Sequence, residues 1–346
     1  MSATPLTVAV LGASGAVGTE MVRVLEQRDF PVRSLKLLAT ERSAGKVVRF
    51  RGSDIIVEAV GSGSFKGIDL ALFSAGAGPS RQRAPEAVKA GATVVDNSSA
   101  WRTDPKVPLV VPEVNPKALE WHGGVIANPN CSTIQMVVAL KPIHDAAKIT
   151  RVIVSTYQAV SGKSGKAMDE LTEATRAVLE GKDPPSVLFP KPMGFNVSFD
   201  WPFADNGFTE EEMKMARETT KIMEDDSIKV TATTARVPVY RGHSESVYIE
   251  TGKKITVAEA REILRKAPGV EVVDDPTLKM WPDPRTAEGK DPVYVGRLRD
   301  DVSHPQALWM WVVSDNLRKG AALNAVQIAE VLMAKNLLKP KTPLYK

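Results

Sequence analysis

Short apolar runs alternate with helical segments over the first third of the chain. The run Leu6–Leu11 is continuous, as expected of a strand buried on both faces, and it leads directly into a glycine-rich turn at residues 12–18. An amphipathic helix is predicted after that turn, with an apolar face formed by Val17, Met21, Val24 and Leu25. Further strands are predicted at Leu35–Ala39, Asp69–Phe73, Thr93–Asp96, Leu109–Val111 and Val125–Ala127, with a helix near Arg81–Ala90. This alternation predicts an α/β, Rossmann-like, doubly wound domain that binds a dinucleotide.

The pattern changes after about residue 133. Strand candidates become longer and alternate partly with period two, at Arg151–Ala159, Ile228–Tyr240 and Ser244–Thr251, and helices are predicted near Lys166–Glu180 and Val257–Lys266. The segment Asp183–Asn206 contains five prolines, so it is predicted to be an irregular excursion that covers a neighbouring element. We predict a second, α+β domain with a mostly antiparallel sheet.

These patterns place the domain limits. The nucleotide-binding domain is predicted at residues 1–133 and the catalytic domain at 134–319. A strong helix is predicted over Gly320–Leu338, packing back onto the first domain.

Composition and charge narrow the function classes. The 346 residues include 43% hydrophobic and 25% charged positions, which excludes wholesale disorder. Basic residues outnumber acidic ones by only 45 to 41, so no nucleic-acid partner is expected, and the tail with Lys335, Lys339, Lys341 and Lys346 is predicted to be a frayed, solvated terminus. No membrane partner is expected either. No run approaches the roughly 18 uninterrupted apolar residues of a membrane span, and no secretion signal is evident, which predicts a cytoplasmic protein.

The glycine-rich turn is the first candidate site. A strand, a glycine turn and a helix in that order direct backbone N–H groups and a helix dipole at a pyrophosphate, although the glycines would equally serve helix–strand packing. The residues concerned are Gly12, Ala13, Ser14, Gly15, Ala16, Val17 and Gly18. After the second strand, Glu41 would accept from a ribose hydroxyl of NAD, whereas Arg42 with Ser43 would hold the 2′-phosphate of NADP. The guanidinium beside a hydroxyl favours NADP.

Cys131, the only cysteine, is the second candidate. It stands between a predicted strand and an amphipathic run, so its sulfur is expected at a helix N-terminus, where the dipole stabilises a thiolate. A lone cysteine also serves as a small buried hydrophobe, but the polar neighbours Asn130 and Ser132 favour a nucleophile. A thiolate on a nucleotide-binding protein indicates aldehyde or acyl chemistry, and His243, expected at an exposed polar turn, is the best of four histidines for proton transfer.

Six segments, in order along nearly the whole chain, resemble the aspartate-semialdehyde dehydrogenase family. They are Gly12–Gly18, Ser98–Arg102, Asn128–Thr133, Arg236–Val239, Gly242–Glu245 and Asp315–Asn324. The resemblance implies reversible, NADP-dependent conversion of aspartate 4-semialdehyde and phosphate into 4-aspartyl phosphate through a cysteine thioester. It implies a role in lysine, threonine, methionine and diaminopimelate synthesis, and a homodimer or homotetramer formed through the second domain.

The resemblance also implies residue roles. Cys131 matches the nucleophile, His243 the acid/base, and Gln158 the residue that orients the thioacyl intermediate. The substrate residues implied are Arg236 for the carboxylate, Glu211 for the amino group, and Arg102, Asn130 and Lys214 for phosphate. Ser161, Gly162 and Asn316 match nicotinamide-side contacts, and no metal site is implied.

The sequence departs from the family pattern at two positions, and two alternative functions remain open. Trp101 stands where phenylalanine is expected before the phosphate arginine, and Ser14 where threonine is common. One rival is N-acetylglutamyl-phosphate reductase, which has no use for an anionic partner of a substrate amine. The other is a homologue that binds NADP without turnover, in which Cys131 would be unreactive.

Overall fold

A computed structural model describes residues 4–345. The helices are α1 (Ala16–Gln27), α2 (Ala77–Lys89), α3 (Cys131–Ala147), α4 (Gly165–Leu179), α5 (Glu210–Met223), α6 (Val257–Arg265), α7 (Pro284–Ala287) and α8 (Leu323–Ala334). The strands are β1 (Leu6–Leu11), β2 (Val32–Ala39), β3 (Val47–Phe50), β4 (Ser53–Ile56), β5 (Glu58–Ala59), β6 (Leu70–Phe73), β7 (Thr93–Asp96), β8 (Val125–Ala127), β9 (Ile149–Gln158), β10 (Lys229–Arg236), β11 (His243–Thr251), β12 (Val270–Val272), β13 (Val293–Asp300) and β14 (Ala307–Ser314).

The chain forms two units. One comprises the residues up to Asn130 together with those from Ala321 onward, and the other is Cys131–Gly320. The predicted fold class, a doubly wound domain followed by an α+β domain, is confirmed by the sheets that these units contain.

The first unit contains a six-stranded parallel sheet of order β5-β2-β1-β6-β7-β8. The strand order reverses between β1 and β6, and in open α/β sheets ligands bind outside the carboxyl ends of the strands at such a point. The strand predicted at Leu109–Val111 is wrong, because only an isolated bridge joins Leu109 to Ala127 there. The second helix begins at Ala77, earlier than predicted.

The C-terminal segment belongs to the core of this first unit. Helix α8 contacts α1 and buries Leu323, Val326 and Leu332 in one cluster with β1. The tail is solvated at Lys335, Lys339 and Lys341, as predicted, but its described residues are not frayed: Leu344 N–H donates to Gly123 O at 2.8 Å, and the Tyr345 ring packs on another aromatic ring. Lys346 lies outside the described residues.

The second unit contains a six-stranded mixed sheet of order β10-β9-β11-β14-β13-β12. The three central pairings are antiparallel and the two outer ones are parallel. Strand β10 ends at Arg236, short of the predicted Tyr240, since Pro238 cannot donate to a ladder.

The proline-rich segment lies over α4 within this unit. Phe189 and Met193 pack against Val160 and Leu171, and the Glu170 carboxylate accepts the N–H groups of residues 187 and 188. Across residues 4–345, no helix is both long enough and apolar enough to span a bilayer.

Candidate active site

Three of the predicted site residues lie at one edge of the second sheet because strand register brings them there. Gln158 ends β9, Arg236 ends β10, and the two are partners in the parallel register. His243 begins β11, which runs antiparallel to β9 and pairs Ser244 with Tyr157. Arg236 and His243 therefore lie at the same edge of the sheet as Gln158, although they follow it by 78 and 85 positions along the chain.

Cys131 is the first residue of α3, at the predicted helix N-terminus, and it is partly exposed. Its Sγ lies 3.2 Å from His243 Nε2. Gly320 allows the chain to pass close to the cysteine, since a Cβ there would lie 2.9 Å from that of Cys131. A nucleophile and a proton-bearing ring are thus in contact at the positive end of a helix dipole.

The environment of His243 differs from the exposed turn that was expected. The side chain is fully buried, and its Nδ1 accepts the Ala159 N–H at 3.0 Å. Burial and, secondarily, the Arg236 charge hold the pKa of His243 well below its ordinary value, so the ring is neutral at pH 7. Since Nδ1 is an acceptor, the single ring proton lies on Nε2 and faces the sulfur.

Arg236 is buried beside this pair. Its Nη1 donates to Ala159 O at 2.8 Å, and its Nε and Nη2 both lie 3.3 Å from Asp200 Oδ1. A Cβ on Gly162 would lie 3.0 Å from Arg236 Nη1 and 3.2 Å from His243 Nε2, so both atoms border one small space that only glycine leaves open. Arg236 Nη1 and His243 Nε2 are therefore close neighbours across that space.

Helix α5 supplies the acidic member of the site. Thr209 and Glu212 form a reciprocal capping box that starts the helix and leaves Glu211 in its first turn. The buried Glu211 carboxylate accepts from Gln158 Nε2 at 3.1 Å and from Lys214 Nζ at 3.3 Å. A carboxylate held in this way retains acceptor capacity for a ligand ammonium group.

Two of the three residues predicted on the nicotinamide side, Ser161 and Asn316, are in contact. Ser161 Oγ and Asn316 Nδ2 lie 3.0 Å apart, and Asn316 Oδ1 accepts the Gly242 N–H at 2.8 Å. Asn316 therefore fixes the turn that precedes His243.

The glycines in the loop of the first unit differ in how closely other backbone atoms approach them. A Cβ on Gly12 would lie 2.3 Å from Ser74 O, and one on Gly18 2.1 Å from Gly12 O, so these two glycines are required by backbone packing. Gly15 caps α1 without a side-chain hydrogen bond, and a Cβ there would meet only Gly12 O, at 3.4 Å. The uncapped start of α1 suits a phosphate group. Arg42 and Ser43 lie in a short 3₁₀ turn after β2, with Arg42 exposed.

Arg102, in the same unit, is held by backbone carbonyls. Its Nε donates to Asn128 O at 3.0 Å and its Nη2 to Asn97 O at 2.9 Å, and both Arg102 and Asn130 are largely buried. The departure at Trp101 is accommodated because its indole N–H donates to Ser80 Oγ at 3.0 Å, a bond that phenylalanine cannot make.

The second unit thus joins the predicted residues Cys131, Gln158, Glu211, Lys214, Arg236 and His243, and the first unit carries the glycine loop, Arg42, Ser43, Arg102 and Asn130. Sequence reasoning missed Asp200, whose only signal is its place in the proline-rich segment. It also missed the role of the Ala159 N–H, since a backbone contact has no residue signature.

Comparison with known proteins identifies the family. The model of the semialdehyde dehydrogenase NAD-binding domain matches residues 7–122, and that of the semialdehyde dehydrogenase dimerisation domain matches residues 140–319. The chain is 55% identical to aspartate-semialdehyde dehydrogenase of Aquifex aeolicus, over 96% of this chain and 99% of that protein. The chain belongs to the aspartate-semialdehyde dehydrogenase family. The resemblance stated from the motifs is confirmed, and so is the expectation of an oxidoreductase.

Solved aspartate-semialdehyde dehydrogenases share the fold. The crystal structure of the Vibrio cholerae enzyme II complexed with ASA superposes with a TM-score of 0.93 at 47% identity, covering 96% of this chain and 99% of that one. The Candida albicans enzyme with NADP superposes with a TM-score of 0.74 at 26% identity, covering 96% of this chain and all of that one. The aspartate-semialdehyde dehydrogenase fold therefore accommodates this sequence along almost its whole length.

Proposed function

We propose that this protein converts 4-aspartyl phosphate to aspartate 4-semialdehyde, reversibly and with NADP, in the synthesis of lysine, threonine, methionine and diaminopimelate. The observation that carries the proposal is the contact between Cys131 Sγ and His243 Nε2, at 3.2 Å, beside the buried pair of substrate-binding candidates Arg236 and Glu211. This arrangement provides a nucleophile, a proton donor and opposite charges for an amino acid's carboxylate and ammonium groups.

The covalent chemistry begins at Cys131. Its thiolate bonds to the acyl carbon as the carbon–oxygen bond to phosphate breaks, which gives a thioester and inorganic phosphate. NADPH, when bound, supplies the hydride that reduces the thioester. His243 donates its Nε2 proton in a hydrogen bond to the resulting oxyanion, and the carbon–sulfur bond then breaks, releasing aldehyde and thiolate.

The remaining site residues receive supporting roles. Gln158, tied to Glu211, orients the thioacyl group, while Arg236 binds the substrate carboxylate and Glu211 its ammonium group. Arg102, Asn130 and Lys214 bind the departing phosphate as donors of different reach. The backbone N–H groups at the start of α3 add to oxyanion stabilisation.

The cofactor assignment rests on the first unit. The uncapped start of α1 suits the pyrophosphate and Arg42 with Ser43 suits a 2′-phosphate, with Ser161, Gly162 and Asn316 toward the nicotinamide. The NADP in the Candida albicans relative supports the same choice. Glu41 beside Arg42 leaves NAD as the alternative cofactor.

We propose a division of labour in which residues 1–133 bind NADP, with the helix at about 320–338 added to that domain, and residues 134–319 carry catalysis and dimerisation. The dimerisation-domain match supports an oligomer, which we propose is a homodimer or homotetramer. We propose a cytoplasmic location, in keeping with the proposed role in amino-acid synthesis.

An absorbance assay at 340 nm tests the reaction. We expect purified protein with aspartate semialdehyde and NADP to form NADPH only when inorganic phosphate is added, with a weaker response to NAD. Absence of NADPH formation with phosphate present would contradict the proposed reaction, and an equal response to NAD would contradict the cofactor assignment.

The rival acyl-phosphate reductase is separated by Glu211→Gln. Because a free substrate amine needs an anionic partner and an acetamido group does not, we expect the variant to raise the KM for aspartate semialdehyde at least about tenfold. The KM for NADP provides the internal control, because Glu211 contacts Lys214, which is proposed to bind phosphate. Wild-type preference for N-acetylglutamate semialdehyde would favour the rival.

A further inference from the structure

Arg236 lies against a segment that the reaction scheme leaves without a role. Ser198, in the proline-rich segment, pairs with the Arg236 backbone through N–H to O bonds of 3.0 and 2.8 Å, in the two directions. Two residues further on, the Asp200 side chain is only 1% exposed, and Trp201 places its ring 4.5 Å from the guanidinium carbon. The segment therefore contacts Arg236 in three ways. Ser198 bonds its backbone, Asp200 pairs with one edge of its guanidinium, and Trp201 lies against one guanidinium face.

The Arg236 guanidinium does not use all of its N–H groups in hydrogen bonds to the described residues. Asp200 Oδ1 accepts from Nε and lies 3.3 Å from Nη2, and Ala159 O accepts one Nη1 proton, so the second Nη1 proton has no acceptor among the described residues. Nη1 also borders the space beside His243 Nε2 that Gly162 keeps open. A carboxylate entering that space meets an arginine whose plane is already set.

The cluster of Lys163, Asp200 and Arg236 carries one more positive than negative charge. Asp200 Oδ2 lies 3.0 Å from Lys163 Nζ while its Oδ1 faces Arg236, so a single carboxylate is shared by two cations. Lys163 is partly exposed but Arg236 is buried, and a buried cation is stable when it is paired, so one further carboxylate beside Arg236 would make the cluster neutral. Asp200 therefore keeps Arg236 ordered without neutralising it.

We propose that Asp200 is a positioning residue that sets the Arg236 guanidinium for the substrate carboxylate and thereby determines recognition of an amino-acid aldehyde. Trp201 assists by stacking on the guanidinium face. This inference rests on the proposed function, because it takes Arg236 as the carboxylate-binding residue.

Steady-state kinetics of Asp200→Asn test the proposal. We expect the KM for aspartate semialdehyde to rise about tenfold, with kcat and the KM values for phosphate and NADP changed less than about twofold. Asp200→Glu should recover part of the loss. Asp205→Asn is the matched control, since Asp205 lies in the same segment but is exposed. In an Arg236→Lys background, Asp200→Asn should add little, because no guanidinium remains to be oriented.

The outcomes separate the two proposals. Wild-type activity with an unchanged semialdehyde KM in Asp200→Asn, or a uniform loss in all parameters with a lowered Tm, would overturn the positioning role alone. An additive effect in the Arg236→Lys background would overturn it as well. A wild-type protein that does not turn over the semialdehyde would overturn the proposed function and this inference together.

Discussion

Cys131→Ser is expected to lower the phosphate-dependent formation of NADPH by at least about 10³-fold. The serine hydroxyl is a weak nucleophile at neutral pH, and the nearby ring carries its only proton on the nitrogen that faces residue 131, so it offers no free base there. The thioester would then not form. The measurement is the initial rate at 340 nm, with NADP binding followed separately by fluorescence.

NADP binding is the control for the first unit, which carries the proposed cofactor loop, and an unchanged Tm is the control for the unit that contains Cys131. The chain has a single cysteine, so iodoacetamide incorporation at neutral pH reports this thiol alone. We expect one label per wild-type chain and none in the variant. Retention of more than a few per cent of activity by Cys131→Ser would rule out a requirement for the thiol, and its retention by Cys131→Ala would rule out the covalent route; an unreactive wild-type thiol would support the homologue without turnover.

His243→Ala is expected to lower kcat by about 10²- to 10⁴-fold. The variant removes the Nε2 proton donor that lies 3.2 Å from the sulfur, so the thiolate and the oxyanion both lose a hydrogen bond. Iodoacetamide labelling of Cys131 should accordingly become slower at pH 7. Because the pKa of His243 is held well below 6.5 by burial and Arg236, the ring stays neutral as the pH falls through 6.5, and the wild-type rate should show no acid limb at that pH.

His243→Gln separates hydrogen-bond donation from proton transfer. Its side-chain amide donates but does not titrate, so we expect it to recover part of the rate that alanine loses. Equal rates in the two variants would contradict a donor role for the neutral ring. A wild-type acid limb centred near pH 6.5 that disappears in His243→Gln would show instead that the ring works as a titrating base.

Local pattern predicted the elements whose signal lies within a few residues. The continuous apolar run of β1 and the periodic face of α1 are such signals, and the helix start at Cys131 follows from the change of pattern around it. The strand predicted at Leu109–Val111 failed, because an apolar run of three residues does not say whether a partner lies beside it.

The candidate site likewise combines features that local sequence predicts with features that depend on tertiary contacts. Residue type and neighbourhood predict Cys131 as the nucleophile, whereas His243 was expected to be exposed and is fully buried. Its burial results from its place at the start of a central strand, and its proton position results from the Ala159 N–H. Neither cause has a signature in the residues around His243.

The sequence by itself determined the class of the two domains, the glycine loop and, through its ordered motifs, the family, because each depends on short-range pattern and side-chain chemistry; it also predicts which residues react. Only the tertiary structure decided which atoms meet. The register of β9, β10 and β11 brings Gln158, Arg236 and His243 to one edge, and the proline-rich segment brings Asp200 to Arg236. Those contacts join residues that lie far apart along the chain, and their distances depend on how whole strands pair.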